Sequence, residues 1–128
     1  MSFVIGSVIF AALMIMVSKL PVGYAMIQDG GYDNNMPREQ QARLSGMGAR
    51  ALAAHQNSIE AFPLFAVGVL LALWGQAPVE TVSLLCSVFV FARIAYVICY
   101  WKDWALPRTT VWMAGFVSSI WLMCLALP

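Results

Sequence analysis

Long, nearly uncharged apolar runs dominate this chain, and about 20 such residues in α-helix are enough to cross the hydrocarbon core of a bilayer. Four segments qualify: Phe3 to Ile27, Ala49 to Trp74, Thr81 to Tyr100, and Thr110 to Leu127. Lipid offers no partner to a backbone N–H or C=O, and a helix satisfies both within itself. The composition points the same way. Of 128 residues, 62% are hydrophobic and 10% are charged, whereas a soluble domain is about half apolar and about a quarter charged. A soluble domain of this length leaves roughly a third of its unfolded-chain surface in water, so this composition would expose patches large enough to aggregate. The sequence therefore predicts an all-α membrane protein, a single domain over residues 1–128 folded as an up-down bundle of four transmembrane helices.

The polar stretch from Gln28 to Gly48 holds Asp-Gly-Gly and Asp-Asn-Asn-Met-Pro, which read as turn and loop chemistry. A short helix from Pro37 to Leu44 is compatible with it. The connections at Gly75 to Glu80 and around Lys102 to Arg108 are short, which makes the helices they join antiparallel neighbours. All seven basic residues fall at one end of such a bundle: Lys19, Arg38, Arg43, Arg50, Arg93, Lys102 and Arg108. Cytoplasmic flanks carry the excess of Lys and Arg, so loops 28–48 and 101–109 are expected in the cytoplasm and both termini outside. Tyr24, Tyr100, Trp101 and Trp104 fit an aromatic belt at the cytoplasmic boundary, and Trp74 one at the outer boundary. Trp112 and Trp121 are expected to face lipid or neighbouring helices. The first run has no basic segment ahead of it and reads as a retained helix rather than a cleaved signal.

A net charge of +1 with scattered cations excludes a nucleic-acid groove. Cys86, Cys99 and Cys124 lie in apolar runs without a metal or redox spacing, and read as small buried hydrophobes; no metal site is expected.

Ionisable groups within spans are costly, about 2.5 to 3.5 kcal/mol near a helix centre on insertion scales, and usually have a partner and a task. On the second run, Arg50, Ala53, Asn57 and Glu60 share one stripe at 100° per residue, while His55 points elsewhere, as an interhelix hydrogen-bonding group. Pro63 follows and is expected to kink the helix. On the third run, Arg93, Tyr96 and Tyr100 line one face. Glu60 is the carboxylate at matching depth, so Glu60 and Arg93 are expected to face each other across a polar cavity open to the cytoplasm. Gln56, Asn57, Tyr96 and Tyr100 exceed what one ion pair needs, which implies that water or a ligand completes the network.

The segment Arg50-Ala-Leu-Ala-Ala-His55-Gln-Asn57-Ser-Ile-Glu60-Ala-Phe-Pro63 resembles the second-helix signature of the MAPEG family, the membrane-associated proteins in eicosanoid and glutathione metabolism. Arg93-Ile-Ala-Tyr96-Val-Ile-Cys-Tyr100 is similar to the family's arginine followed seven residues later by tyrosine. The chain looks most like the small bacterial branch, which implies a bacterial inner membrane. The resemblance implies a homotrimer in the lipid bilayer, with glutathione as cosubstrate between subunits near the cytoplasmic side, and helix one of one subunit facing helices two and three of the next. It also implies transferase or peroxidase chemistry on a hydrophobic small-molecule electrophile. Asn57, Glu60, Arg93, Tyr96 and Tyr100 would line that site, Lys19, Arg50 and Arg93 would meet carboxylates, Glu60 the amine, and Arg108 the thiolate. Gln56 stands where members often have a basic residue and Tyr96 where they have a histidine, so cation density is lower here. Two other readings stand beside this one: a non-catalytic lipid- or ligand-binding protein on the same scaffold, and a small proton-coupled exporter using Glu60.

Overall fold

The computed structural model describes residues 1–127 and contains five helices in this order: α1 Ser2–Gln28, α2 Pro37–Arg43, α3 Gly46–Trp74, α4 Val79–Trp101 and α5 Ala105–Cys124. Three of them, α1, α3 and α4, are long and apolar enough to cross a membrane. The fifth element is the short α2 inside the polar loop, begun by Pro37 at its first turn, where the missing N–H costs nothing. Two expected boundaries shift. The third connection contracts from 101–109 to Lys102–Trp104, and the last helix runs from Ala105 to Cys124 rather than from Thr110 to Leu127. Pro107 does not delay its start, because first-turn N–H groups have no intrahelical acceptor in any case. Arg108 is thus a helical residue. At the other loop, α3 begins at Gly46, inside the stretch expected to be loop.

The two tight reversals are built alike. After α3, the N–H of Ala77 bonds the carbonyl of Ala72 at 3.0 Å and that of Gln76 bonds Leu73 at 3.1 Å; after α4, Trp104 bonds Cys99 at 2.9 Å and Asp103 bonds Tyr100 at 3.2 Å. Gln76 and Asp103 take the left-handed conformation that this helix ending requires, at φ +56° and +60°. Helix α3 continues without a break through Pro63, and α1 through Pro21.

Helix α3 is the hub, touching every other helix, while α1 and α5 do not meet among the described residues. They flank the α3–α4 pair from opposite sides. Close approach depends on small residues, as lipid-immersed helices require. A Cβ on Gly68 would stand 2.7 Å from the Ser119 carbonyl oxygen of α5, and one on Gly48 2.9 Å from the Ala25 Cβ of α1. Phe65 and Phe89 stack at 3.8 Å between ring centres in the core of Val4, Val69, Ala72, Val82 and Leu122. A second core, Val22, Met26 and Ala51, lies toward the loop end and is covered by Trp101. Trp101 is therefore packed rather than free at the boundary, whereas Tyr24, Trp104 and Trp74 are exposed.

Serines inside helices bond back to the preceding turn: Ser7 to Phe3, Ser87 to Ser83, Ser118 and Ser119 to Gly115. This removes hydroxyls from the balance of polar groups owed a partner. Buried Gln40 of α2 ties the polar loop to α1. Its Nε2 donates to the carbonyls of Met26 at 3.0 Å and Gly31 at 2.7 Å, and its Oε1 accepts from the Asp33 N–H at 2.9 Å.

Gly68→Ala is expected to lower stability by about 1–3 kcal/mol, because the new methyl meets backbone that cannot yield without moving a helix. Gly6→Ala, where nothing lies within 4 Å, is the matched control and should not destabilise. Thermal unfolding of both variants in detergent reads the difference.

Candidate functional site

Arg93 sits eight residues before the end of α4, about 12 Å from it at 1.5 Å per residue. It is 5% exposed. A guanidinium at that depth survives only if its donors are met, and α3 meets them. Arg93 Nη1 donates to Asn57 Oδ1 at 2.9 Å, and Nη2 donates to Ser58 Oγ at 3.3 Å. Ser58 passes its own proton to the Ala54 carbonyl at 2.9 Å. The guanidinium also lies over the Tyr96 ring, 4.4 Å from its centre. Asn57 Nδ2 in turn donates to Glu60 Oε2 at 3.2 Å.

Glu60 and Arg93 therefore share one cleft without a direct salt bridge, with the Asn57 amide standing between them. The cleft is about 140 Å³ and lies between α3 and α5, with α4 as its floor. Asn57, Glu60 and Arg93 form its polar part; Leu64, Phe89, Trp112 and Phe116 are its apolar walls, and Gly115 and Ser119 leave room at the back.

Trp112, stacked on Phe116 at 5.4 Å, also borders a second, more polar recess of about 220 Å³ lined by Tyr96, Tyr100, Arg108 and Thr109. Tyr96 meets Tyr100 edge-on at 5.6 Å, and Arg108 lies over the Tyr100 ring at 4.4 Å. Arg93, Tyr96, Tyr100 and Arg108 thus form a continuous ladder along the α4–α5 seam, two rings in edge contact with a cation on each outer side. Among the described residues, the Arg108 guanidinium has no hydrogen-bond acceptor.

Six of the residues expected at the site are brought together: Asn57, Glu60, Arg93, Tyr96, Tyr100 and Arg108. Lys19 and Arg50 line neither cleft. Lys19 is half-buried on α1, on the far flank of α3 from α5. Arg50 buries its Nε without a partner. His55 faces α1, with Nδ1 3.0 Å from the Ile15 carbonyl and 3.3 Å from Ser18 Oγ, and it binds two helices together as its position implied. Trp112, expected against lipid or a neighbouring helix, is a site residue that the sequence did not single out, and Thr109 and Ser119 gave no signal at all. A Trp and a Thr on an apolar helix look the same in sequence whether they face lipid or a cleft. Cys86 and Cys99 are buried, but Cys124 is exposed.

The fold and cleft define a class: a helical membrane protein with a partly polar cavity between its helices. The model of the MAPEG family matches residues 3–128, and the chain belongs to that family. It is an integral membrane protein. No curated protein and no solved structure matches the chain.

Asn57→Leu leaves a buried Arg93 donor without its acceptor and is expected to cost about 1–3 kcal/mol. Gln56→Leu, one residue away on the exposed face, should cost nothing measurable. Unfolding of the two variants in the same detergent compares them.

Proposed function

We propose that this chain is a glutathione-dependent transferase or peroxidase for apolar electrophiles that arrive through the bilayer. The observation that carries this reading is the pairing, across Trp112, of the Glu60–Asn57–Arg93 group in a mostly apolar cleft with an uncommitted cation, Arg108, in the adjoining polar recess. Glutathione has an ammonium, two carboxylates and a thiol. Glu60 suits the ammonium, and Arg108 suits a sulfur anion, since a neighbouring positive charge favours thiolate over thiol. The thiolate would attack an electrophilic carbon, expelling a leaving group with its electron pair, or the outer oxygen of a hydroperoxide, cleaving the O–O bond.

The subunit would span the bilayer four times. Helix α5 has 20 residues, about 30 Å of helix, and three residues alone separate it from antiparallel α4, so the two share a depth. Both termini would lie outside a bacterial inner membrane, with α2 and the Lys102–Trp104 turn in the cytoplasm.

Three copies would complete the site. Lys19 cannot reach the cleft within its own chain, because α1 and α5 lie on opposite flanks; α1 of a neighbouring copy is the route by which it would contribute. The unpartnered Nε of Arg50 is a donor that a ligand carboxylate or a water would complete.

A second reading, a non-catalytic lipid-binding protein, is favoured by one observation. A groove of about 360 Å³ between α4 and α5, lined by Leu84, Leu85, Val88, Val117 and Trp121, is almost wholly apolar and suits an acyl chain.

Purified protein should conjugate glutathione to a chloronitrobenzene, and Arg108→Ala should slow this by about 100-fold, the scale of one lost anion-stabilising donor. Absence of glutathione binding at millimolar concentration, with lipid retained through purification, would leave the second reading. Single cysteines introduced at Gly31 and Gln76 in a background lacking native cysteines test topology: a membrane-impermeant thiol reagent added to intact cells should label the second and spare the first.

A further inference from the structure

The two arginines of the site are held in different ways. Arg93 has both terminal nitrogens on protein acceptors and one face on Tyr96, and is 5% exposed. Two of its five N–H groups are met by the protein, and only a narrow edge of it faces the cleft. Its hydrogen bond to Asn57 has a directional consequence, because an amide has one accepting end and one donating end. With Oδ1 turned to Arg93, Nδ2 turns to Glu60, where it holds Oε2 at 3.2 Å. The other carboxylate oxygen of Glu60, an exposed residue, is then left to accept from outside the chain.

We infer that Arg93 is a positioning residue, which acts through the Asn57 amide to aim Glu60 at an ammonium group and does not itself bind the ligand's carboxylate. This rests on the proposed role of Glu60 at the amine of glutathione. It departs from the assignment of Arg93 as a carboxylate partner that the family resemblance implied. Without the cation, nothing anchors the amide at its Oδ1 end, so the Nδ2 donor is free to swing off Glu60, and the acid loses its fixed orientation.

The test compares wild type, Arg93→Met, Asn57→Ala and the double variant. Met keeps the unbranched apolar stem, and replacing a buried charge by an apolar group of similar volume is often tolerated. Arg93→Lys is the second variant, keeping the charge while being unable to span Asn57 and Ser58 together. Calorimetry measures binding of glutathione, of an analogue lacking the amine, and of one with its glycine carboxylate amidated. Arg93→Met is expected to weaken glutathione binding about tenfold, the scale of one charge-assisted hydrogen bond. The double variant should bind within about twofold of Asn57→Ala, because both changes break one chain of contacts. The loss should vanish for the amine-free analogue and persist for the amidated one. The reverse pattern, or additive losses, would overturn the inference.

A wild type that binds no glutathione would instead remove the functional reading, and a ligand-free measurement then decides the positioning role. A protonated carboxyl group adds across dicyclohexylcarbodiimide, its proton going to one nitrogen and its oxygen to the central carbon as one C=N π bond opens, and mass spectrometry follows this addition to Glu60. Labelling should quicken several-fold in Arg93→Met and equally in Asn57→Ala, with no further gain in the double variant; an unchanged rate in Arg93→Met would sink the proposal.

Discussion

Burying a guanidinium two turns inside a membrane helix is the most expensive thing this chain does, and much of the structure around the cleft exists to make it tolerable. On insertion scales an arginine at a helix centre costs about 2.5 to 3.5 kcal/mol, and more if its donors are left unmet. Asn57, Ser58 and the face of Tyr96 answer that cost from three directions. Each answer fixes something else. Ser58 is spoken for by Ala54 and Arg93, Asn57 by Arg93 and Glu60, and α3 is locked to α4 in one rotational setting. A shift of α3 by a single residue would turn Asn57 about 100° away and strand the charge.

That lock needs the helices to come close, which explains where the small residues fall. Gly68 lets the backbone of α5 touch α3, and Gly48 admits the Ala25 methyl of α1. Both contacts lie on α3, the helix that carries the polar residues. The site is thus clamped from either flank by close approaches that leave no room for a side chain on either glycine, while the exposed faces of α1 and α5 are left to lipid and to any neighbouring copy. The helix-forming residues there need no pattern, since an apolar surface on every side is what lipid favours.

Much of this was legible in the sequence because the bilayer imposes few solutions. Spans of the required length, loops too short for anything but antiparallel packing, and a glutamate and an arginine at matching depths are all one-dimensional facts. The pairing of α3 with α4 through Asn57, Glu60 and Arg93 followed from depth. What failed was local. The last helix was expected from Thr110, but a first-turn proline removes an N–H that has no partner anyway, and the helix begins at Ala105, before Pro107. Glu60 and Arg93 do share one cleft, as expected, but the Asn57 amide that bridges them was not foreseen, because depth says that two groups are level and says nothing of what stands between them. Gln40, which ties the loop to α1, carries no signature beyond being a glutamine in a polar stretch. Trp112 was missed for a different reason: which side of a helix meets protein rather than lipid is decided by the crossing of three helices, and the residue alone does not record it.

The ladder from Arg93 to Arg108 then acquires a physical logic. Its deep end is a cation held by the protein at both terminal nitrogens and almost wholly buried. Its shallow end is a cation with a ring beneath it and no acceptor, placed in the first turn of α5, where the unpaired N–H groups of the helix start add further positive potential. An anion arriving at the loop end of the bundle would meet the uncommitted charge first, while the committed one keeps the acid on α3 aimed. A bound peptide with a positive and a negative end would be read by both ends of that arrangement at once, amine at Glu60 and anion at Arg108, with Trp112 between them setting the span. The same arrangement disfavours a simple ion-pair fastener: two helices can be pinned by one Arg–Glu contact, and nothing in that task calls for a second, unpaired arginine facing the same cleft wall.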